Sequence, residues 1–464
     1  MSKDLKMRRS KLKAYLGCIG VFTCLIGNSC GSGRTEIVIV AGNIGAEIKS
    51  IKAEVDFNGK TYQLEPFSMG IGGLSTQMLF SFPSNQSGTA EISFKLIDAA
   101  GCAVGYQHQQ VRISALENQT IPLSKFSLFP VVSTVTSKLF SVWGASKEDV
   151  WAVGEMGAIF HWDGKCWTNQ STTAPGFTVV AGSSRYSVWA ASSNLVINRW
   201  DGINWVDEKP VGLLAGVVTA MQVLGPDNVW AAGVSGGKGA IYQRDSQNWV
   251  DRKSEADQGS NAIIDNKNGA NSDFGALAGT TDENLMIAGN PRDVAAIGMK
   301  GNLFYHARQA PDNQWFWKPV PNTQAFDPNT IYKYVSAWTI GPNDYWFGVQ
   351  SGTASVEGGV IIHRYLDQYT KIVLSSNPSE VVSKIWGLKK QDNNYDMWIL
   401  TNDAAKKIDK VYRNNGTATF VEVPIDTKNR QITALWGSAA DDVWIVGYGG
   451  LRIHYDGSNF TTYP

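Results

Sequence analysis

The chain has 464 residues, which is enough for two or three domains. Its 43% hydrophobic and 11% aromatic residues exclude an intrinsically disordered chain and indicate globular domains with apolar cores. The 41 basic and 41 acidic side chains cancel, but residues 1–29 hold six of the basic ones and only one acidic one. The acidic excess of the remainder argues against a nucleic-acid partner, since nucleic-acid binding needs a basic face.

Residues 1–29 have the pattern of an export signal. A basic stretch ends at Lys13, and the apolar stretch Ala14–Gly27 is too short to span a bilayer comfortably but suits a signal peptide. Cys30 follows, and this arrangement resembles a bacterial lipoprotein signal. The resemblance implies that Cys30 becomes the lipidated first residue of the mature protein and that residues 30–34 form its tether. An ordinary cleaved signal peptide or an uncleaved anchor is the alternative.

The same resemblance implies a cellular address. Gly31 follows the cysteine, at the place where enterobacterial lipoproteins that stay in the inner membrane carry Asp. We therefore expect an exported protein that its lipid anchors in the outer membrane, facing either the periplasm or the cell surface.

Residues 35–128 contain no Trp and show the period-2 alternation of β-strands, clearest in Ile51–Phe57 and Ala90–Leu96. Turn residues such as Asn58-Gly59 separate the runs. Several short strands without a helical period predict a β-sandwich domain. The stretch AEISFKLIDAAGCAVG resembles the immunoglobulin-like modules found near the N-termini of exported bacterial proteins.

Residues 129–138 are a predicted linker, and the rest of the chain, 139–464, is a repeat region that holds all 17 tryptophans. Residues 143–154 read WGASKEDVWAVG and residues 436–447 read WGSAADDVWIVG, with weaker copies between them. Seven repeats are anchored on a Gly that ends a first strand and on a marker in the second. The glycines are Gly144, Gly182, Gly225, Gly279, Gly341, Gly387 and Gly437, and the markers are Trp151, Trp189, Trp230, Met286, Trp346, Trp398 and Trp444.

Each repeat has room for four short strands, which is the blade of a β-propeller. We therefore predict an all-β protein, an immunoglobulin-like β-sandwich followed by a seven-bladed β-propeller. An Asp, Asn or Ser two residues before each marker is interpreted as a turn residue that accepts backbone N–H groups. The last repeat supplies its own fourth strand, Phe460–Tyr463, or the ring is closed by Val131–Thr136.

The repeats resemble the VWG…DVWAVG…HWDG repeats of exported bacterial propellers, many of them lipoproteins. They are also akin to the propellers of photosystem II assembly factors and to the Asp-box repeats of sialidases. The segment Asp163–Trp167 is one residue shorter than the Asp-box, so sialidase chemistry is not implied.

Two residue columns invite a functional interpretation. The second-strand tryptophans could form a platform for sugars, but large rings at strand centres more simply fill the space between blades. One column of the third strand holds four histidines with Arg and Gln, which indicates a half-exposed polar position rather than a metal site. Its members are His161, Arg199, Gln243, His306, His363, Arg413 and His454. We expect no metal and no cofactor.

The repeats differ most in the connections between their second and third strands. The long ones are Gly289–Asn302, Gln350–Gly359 and Thr401–Asp409, and a further insertion, Asp251–Asp273, joins repeats three and four. Loops at one blade position emerge on one rim, and loops carry function because they escape packing constraints. The candidate partner-binding residues on and beside these connections are Arg292, Asp293, Lys300, Trp315, Trp317 and Glu357. Neutral insertion into tolerant loops is the alternative.

Cys102 and Cys166 are the two cysteines after the signal, and an exported protein permits a disulfide between them. Two buried, unpaired thiols are the simpler expectation.

Catalytic signatures such as GxSxG and HExxH are missing from the sequence, so no catalytic residue is predicted. The favoured function is a non-catalytic envelope lipoprotein that binds a protein partner through the propeller rim. A glycan-binding lipoprotein is the first alternative. A sialidase-like hydrolase or a lyase is the second, and it predicts Arg and carboxylate groups at the mouth of the central channel.

Overall fold

The structure is a computed structural model that describes most of the chain after residue 33. The described residues are 34–41, 48–63, 67–68, 76–83, 87–114, 119–123, 127–128, 137–172, 174–208, 216–235, 238–246, 248–252, 274–289, 293–294, 299–300, 303–309, 314–319, 333–350, 357–391, 394–403 and 405–463. The predicted signal and Cys30 lie outside them. Within them, no helix is long and apolar enough to cross a membrane. The chain divides into two compact units between Phe129 and Pro130.

The first unit is built from two β-sheets. Its described strands are β1 (Arg34–Ala41), β2 (Ser50–Phe57), β3 (Lys60–Gln63), β4 (Phe67–Ser68), β5 (Thr76–Pro83), β6 (Gly88–Ile97), β7 (Ala103–Ile113), β8 (Gln119–Leu123) and β9 (Ser127–Leu128). One sheet has the order β5-β1-β8 and the other β3-β2-β6-β7-β9, with β4 also pairing with β2. The β1–β8 pair is parallel, and the other pairs are antiparallel.

The two strands predicted from alternation are confirmed as β2 and β6, which pair with each other. Ile51 and Phe57 of β2 and Ile92 and Phe94 of β6 are buried in one apolar cluster, while the residues between them lie nearer the surface. The alternation follows because one face of an antiparallel pair is covered and the other meets solvent.

The second unit contains, in its described residues, seven antiparallel sheets of four strands each, numbered here in chain order. Sheet 1 is β10 (Leu139–Ser146), β11 (Asp149–Gly154), β12 (Ile159–Trp162) and β13 (Trp167–Asn169); sheet 2 is β14 (Phe177–Ser184), β15 (Ser187–Ser192), β16 (Ile197–Trp200) and β17 (Trp205–Asp207); sheet 3 is β18 (Gly216–Gly225), β19 (Asn228–Ser235), β20 (Lys238–Asp245) and β21 (Asn248–Asp251).

The remaining sheets follow the same plan. Sheet 4 is β22 (Phe274–Ala278), β23 (Met286–Gly289), β26 (Leu303–Gln309) and β27 (Gln314–Pro319), with the small hairpin β24 (Asp293–Val294) and β25 (Met299–Lys300) inserted; sheet 5 is β28 (Lys333–Gly341), β29 (Asp344–Gln350), β30 (Gly358–Tyr365) and β31 (Gln368–Ser375); sheet 6 is β32 (Glu380–Lys389), β33 (Tyr395–Asp403), β34 (Ile408–Arg413) and β35 (Val421–Val423); sheet 7 is β36 (Ile432–Ala439), β37 (Asp442–Gly447), β38 (Arg452–Tyr455) and β39 (Phe460–Tyr463).

The seven sheets form a closed ring. The first strand of each sheet packs against the first strand of the next, and β36 of sheet 7 packs against β10 of sheet 1. Four-stranded sheets repeated around a centre are the architecture of a β-propeller. The fourth strand of sheet 7 is β39, as the sequence predicted, and the alternative closing segment, Val131–Thr136, lies outside the described residues.

Threonine hydroxyls join the inner strands across the gaps between sheets. Thr178 Oγ1 donates to the carbonyl of Val218 in the next sheet at 2.6 Å, and Thr433 Oγ1 donates to the carbonyl of Leu139 at 2.6 Å. Thr219 makes the same bond from sheet 3 to sheet 4. Each of these threonines lies where the first strand shifts register, so its hydroxyl is free to reach outward. The bond at Thr433 spans the seam between sheets 7 and 1.

The second-strand tryptophans are core residues, as predicted. All six are at most 2% exposed. They fill the space between neighbouring sheets: the Trp444 ring lies 5.0 Å from Trp162 of sheet 1, and Trp151 lies 4.9 Å from Trp200 of sheet 2. A sugar platform on this column is therefore excluded, because the rings have no free face.

Candidate binding surfaces of the propeller

The edge where the first strands begin is uneven in height. Sheets 1, 2 and 7 have second strands of six residues and third strands of four. Sheets 3, 5 and 6 extend both strands, for example in β33, which has nine residues. Sheet 4 adds the hairpin β24–β25 within its predicted insertion. Sheets 3 to 6 therefore form one high side of the ring, here called the high rim.

Three of the predicted partner residues lie on this rim. Asp293 and Lys300 face each other across the β24–β25 pair, at the base of the hairpin. Glu357 lies just before β30, and both of its carboxylate oxygens accept from Lys371 Nζ, at 3.0 and 2.8 Å. Arg292 lies outside the described residues.

The two tryptophans of β27 have different environments. Trp317 is 2% exposed and packs edge-to-face against Trp230 of sheet 3, at a centroid distance of 5.9 Å. It is a core residue, so the prediction that it contacts a partner is corrected. Trp315 is half-buried and stacks on His306, with centroids 4.3 Å apart and planes 5° apart. Of the two, only Trp315 retains accessible ring surface.

A repeated Asp–Trp–His group lies where the second and third strands pair. In sheet 1, Asp149 Oδ1 accepts from Trp151 Nε1 and contacts His161 Nε2, both at 2.9 Å. The indole and imidazole rings stack, with centroids 3.9 Å apart. Sheet 5 repeats the arrangement with Asp344, Trp346 and His363.

Sheets 7 and 6 keep the acid but change its partners. In sheet 7, Asp442 Oδ1 lies 2.6 Å from His454 Nε2, and His454 stacks on Trp444. In sheet 6 an arginine replaces the histidine: Arg413 donates twice to Asp396, at 2.9 and 2.8 Å, and its guanidinium lies 4.6 Å from the Trp398 ring. The planar guanidinium thus takes over both the ion pair and the ring contact of the imidazole.

Sheets 2, 3 and 4 lack an acid at this position. Ser187 replaces it in sheet 2 and accepts from Trp189 Nε1 at 3.3 Å. In sheet 3 the acid comes from the neighbour: Asp282, in a 3-10 turn of sheet 4, accepts from Trp230 Nε1 at 2.7 Å and from the Asn228 amide. In sheet 4, Tyr305 rather than His306 lies opposite the marker Met286.

These contacts correct two predictions in part. In sheets 1, 2 and 5 the polar residue before the marker begins the second strand and accepts the side-chain N–H of the marker tryptophan, instead of capping a turn. In sheet 4 the prediction holds, because Asn284 lies in a turn and accepts the N–H groups of Thr280 and Thr281.

The third-strand column is partly exposed at Arg199, His363, Arg413 and His454, as predicted, but it is buried at His161, Gln243 and His306. Burial raises the pKa of Asp344, but hydrogen bonds from His363, Tyr395 and Trp346 outweigh it and hold that pKa below its ordinary value. Where it is buried, the column is a hydrogen-bonded part of the core.

No cluster of three or more metal-ligating side chains occurs among the described residues. Cys102 lies in the turn between β6 and β7, where its N–H donates to Asp98, and Cys166 lies in the turn between β12 and β13, where its N–H donates to Asp163.

No protein-family profile matches the chain. No curated protein matches it either. Among solved structures, YCF48 from Cyanidioschyzon merolae is 17% identical, with 71% of this chain and 98% of that one covered and a TM-score of 0.49. The extracellular domain of BT4673 from B. thetaiotaomicron is 14% identical over 72% of this chain and 39% of its own, with a TM-score of 0.43. A GH74 xyloglucanase from Xanthomonas campestris is 12% identical over 69% and 52%, with a TM-score of 0.45.

Proposed function

We propose that this protein is a non-catalytic lipoprotein of the bacterial cell envelope and that its seven-bladed propeller binds a protein partner on the high rim. The observation that carries the proposal is the uneven height of the ring. On one edge, sheets 3, 5 and 6 have longer second and third strands than sheets 7, 1 and 2, and sheet 4 has the added β24–β25 pair, although all seven share the same four-stranded plan.

The raised part offers what a protein interface needs. The β24–β25 pair is separate from the four strands of sheet 4, and Asp293 and Lys300, residues of opposite charge, are paired across it. Glu357 adds a partly exposed acid in the next sheet. Loops and hairpins that do not contribute to the core are where binding residues are most often found.

The remaining parts of the chain serve to anchor and present the propeller. We assign residues 35–128 to an immunoglobulin-like domain between a lipidated Cys30 and the propeller, with the lipid in the outer membrane. We also assign a disulfide to Cys102 and Cys166, the two cysteines beyond the signal. Mass spectrometry of membrane-extracted protein tests both points: a bare Cys30 rejects the anchor, and any other cysteine pairing rejects the disulfide.

The proposal predicts a partner whose capture depends on the rim. Crosslinking in living cells, followed by affinity purification and mass spectrometry, compares the intact chain with a variant in which the short connection of sheet 1, residues 155–158, replaces residues 290–302 of sheet 4. We expect the intact chain to capture an envelope protein at least about tenfold more efficiently than the variant, a change of ~1.4 kcal/mol in binding.

The matched control exchanges one short connection for another, residues 155–158 of sheet 1 for residues 448–451 of sheet 7, and is expected to capture the partner normally. A partner that is captured equally by all three proteins would reject the rim as its binding surface. Capture of no protein would favour the glycan-binding alternative, for which Trp315 is the first residue to test.

A further inference from the structure

A cavity of about 440 Å³ opens between sheets 2 and 3. It is lined by Tyr186, Arg199, Glu208, Pro226, Asp227 and Arg244. Tyr186 lies in the turn between β14 and β15, and Asp227 in the turn between β18 and β19, so the cavity lies at the edge where first strands end. This edge is opposite the high rim. The volume is in the range of small-molecule sites.

The two arginines of the cavity have hydrogen-bond donors to spare. Arg199 Nε donates to Glu208 Oε1 at 2.8 Å, and its terminal nitrogens have no hydrogen bond among the described residues. Arg244 donates through one terminal nitrogen to Asp227 at 2.8 Å and to the Ser246 carbonyl at 2.6 Å. Its Nε lies 3.6 Å from Glu208 Oε2, which is too long for a hydrogen bond.

Arg244 is only 5% exposed, and its Nε is enclosed by protein beside Glu208. The spare terminal nitrogens of Arg199, whose side chain is 30% exposed, are therefore the donors most open to a ligand. The arginines are also held in place: their guanidinium groups lie 5.0 and 5.9 Å from the Trp189 ring, Arg244 being the nearer. The donors are therefore fixed before any ligand arrives.

The spare donors follow from the substitution in sheet 2. In sheet 6, Asp396 occupies the column and takes two hydrogen bonds from Arg413. In sheet 2 the same position is Ser187, which cannot pair with Arg199, and Arg199 turns to Glu208 with one bond only. The cavity is thus lined by the one arginine of the third-strand column that has serine instead of aspartate opposite it on the second strand.

The charge of the cavity selects the class of ligand. Two guanidinium groups and two carboxylates cancel, so an anion would have to displace Glu208 or Asp227 from an arginine. Asp227 is 70% exposed along its side chain and retains open acceptor sites. A hydroxyl group both donates and accepts, which suits a wall of unfilled donors beside carboxylates. Tyr186 and Pro226 add apolar surface against which the C–H face of a sugar ring can pack.

We propose that this cavity binds a neutral saccharide unit, with its hydroxyls accepting from Arg199 and Arg244 and donating to Glu208 and Asp227. The site is separate from the protein-binding rim, and neither proposal depends on the other.

The test measures saccharide binding by the full-length protein in a detergent that has no sugar headgroup. Titration calorimetry and saturation-transfer NMR would use cellotriose, maltotriose, xylotriose and N-acetylchitotriose, with trigalacturonate and an acidic peptide as charged competitors. We expect at least one neutral trisaccharide to bind and Arg199→Gln and Asp227→Asn each to raise its Kd at least about tenfold. Glutamine is the residue that sheet 3 carries in this column, at Gln243, so the first variant is compatible with the fold.

Asp245→Asn is the matched control, because Asp245 is an exposed carboxylate on the same hairpin of sheet 3 but outside the cavity wall. It is expected to bind like the unmodified protein. Failure of all four neutral trisaccharides to bind overturns the proposal, and so does binding that neither cavity variant weakens. Binding of trigalacturonate or the peptide alone would replace it with an anion site.

Discussion

Two arcs of the propeller solve the same packing problem differently. In sheets 5, 6, 7 and 1, an acid at or beside the start of the second strand pairs with His or Arg on the third strand of the same sheet. In sheets 2, 3 and 4 the acid is missing. Arg199 of sheet 2 pairs with Glu208 just after the outer strand, Trp230 of sheet 3 donates to Asp282 of sheet 4, and His306 of sheet 4 bonds to a carbonyl in the turn of its own sheet. Where the acid is missing, as in sheet 2, hydrogen-bond donors on the third strand therefore remain available to a ligand.

The largest loss of stability is expected when the most buried acid is removed from the sheets that have one, sheets 5, 6, 7 and 1. Asp396→Ala leaves Arg413, whose side chain is 14% exposed, without its counter-ion. We expect the free energy of unfolding to fall by about 3–5 kcal/mol, measured by urea denaturation with tryptophan fluorescence. Ser187→Ala at the same position of sheet 2 removes one neutral hydrogen bond and should lose only about 1 kcal/mol. Equal losses at the two positions would refute the distinction between the arcs.

A smaller loss of stability is expected in sheet 3, whose tryptophan donates to an acid of the neighbouring sheet. Asp282→Ala removes the acceptor that sheet 4 supplies to Trp230 and Asn228 of sheet 3, which should lower the free energy of unfolding by about 1.5–3 kcal/mol. Adding Asn228→Asp to this variant returns an acid to sheet 3 itself. Denaturation measurements should show that the double variant recovers at least half of the lost free energy of unfolding. A double variant as unstable as Asp282→Ala would contradict the idea that an acid within sheet 3 can replace the one from sheet 4.

The smallest effect is a pH-dependent contribution of Asp442, in sheet 7, to the free energy of unfolding. Burial raises the pKa of Asp442, but hydrogen bonds from His454 and Ser438 outweigh it, and the pKa lies below its ordinary value of 3.8. A carboxyl with a lowered folded-state pKa stabilises the fold above its unfolded-state pKa, and this contribution is lost as pH falls through the folded-state pKa.

We therefore expect Asp442→Asn to cost about 1 kcal/mol near neutral pH and progressively less below about pH 4. Denaturation curves recorded across this range measure the difference. Asp441→Asn, at the exposed neighbouring residue, is the control and should follow the unmodified protein. A cost that stays constant down to about pH 3 would show that the contribution of Asp442 is not electrostatic.

The fold was predictable because its repeats carry strong local signals. Strand alternation located β2 and β6, and the repeated Gly and Trp positions located the first and second strands of the sheets. The role of the tryptophans as core followed from their position at strand centres. These inferences succeed because each depends on spacing within one strand or one hairpin.

The contacts between distant residues were not predictable in this way. Nothing within sheet 3 shows that Asp282 will serve Trp230, because that contact depends on how two sheets pack. Trp317 looked like a departure from the repeat, yet its burial is set by the neighbouring sheet. The cavity was missed as well, although a signal existed: Ser187 with Arg199 is the one pairing in the column in which an arginine has no acid opposite it on the second strand.

The closure of the ring has an evolutionary consequence. Sheet 7 contains four consecutive strands, and its seam to sheet 1 includes the Thr433–Leu139 hydrogen bond and the packing of Trp444 on Trp162. Among the described residues, no strand of one sheet is borrowed from the other end of the repeat region. A complete repeat can therefore be duplicated or deleted in frame without dividing any sheet. Such a gene can diverge one repeat at a time, while the unchanged repeats continue to hold the circle together.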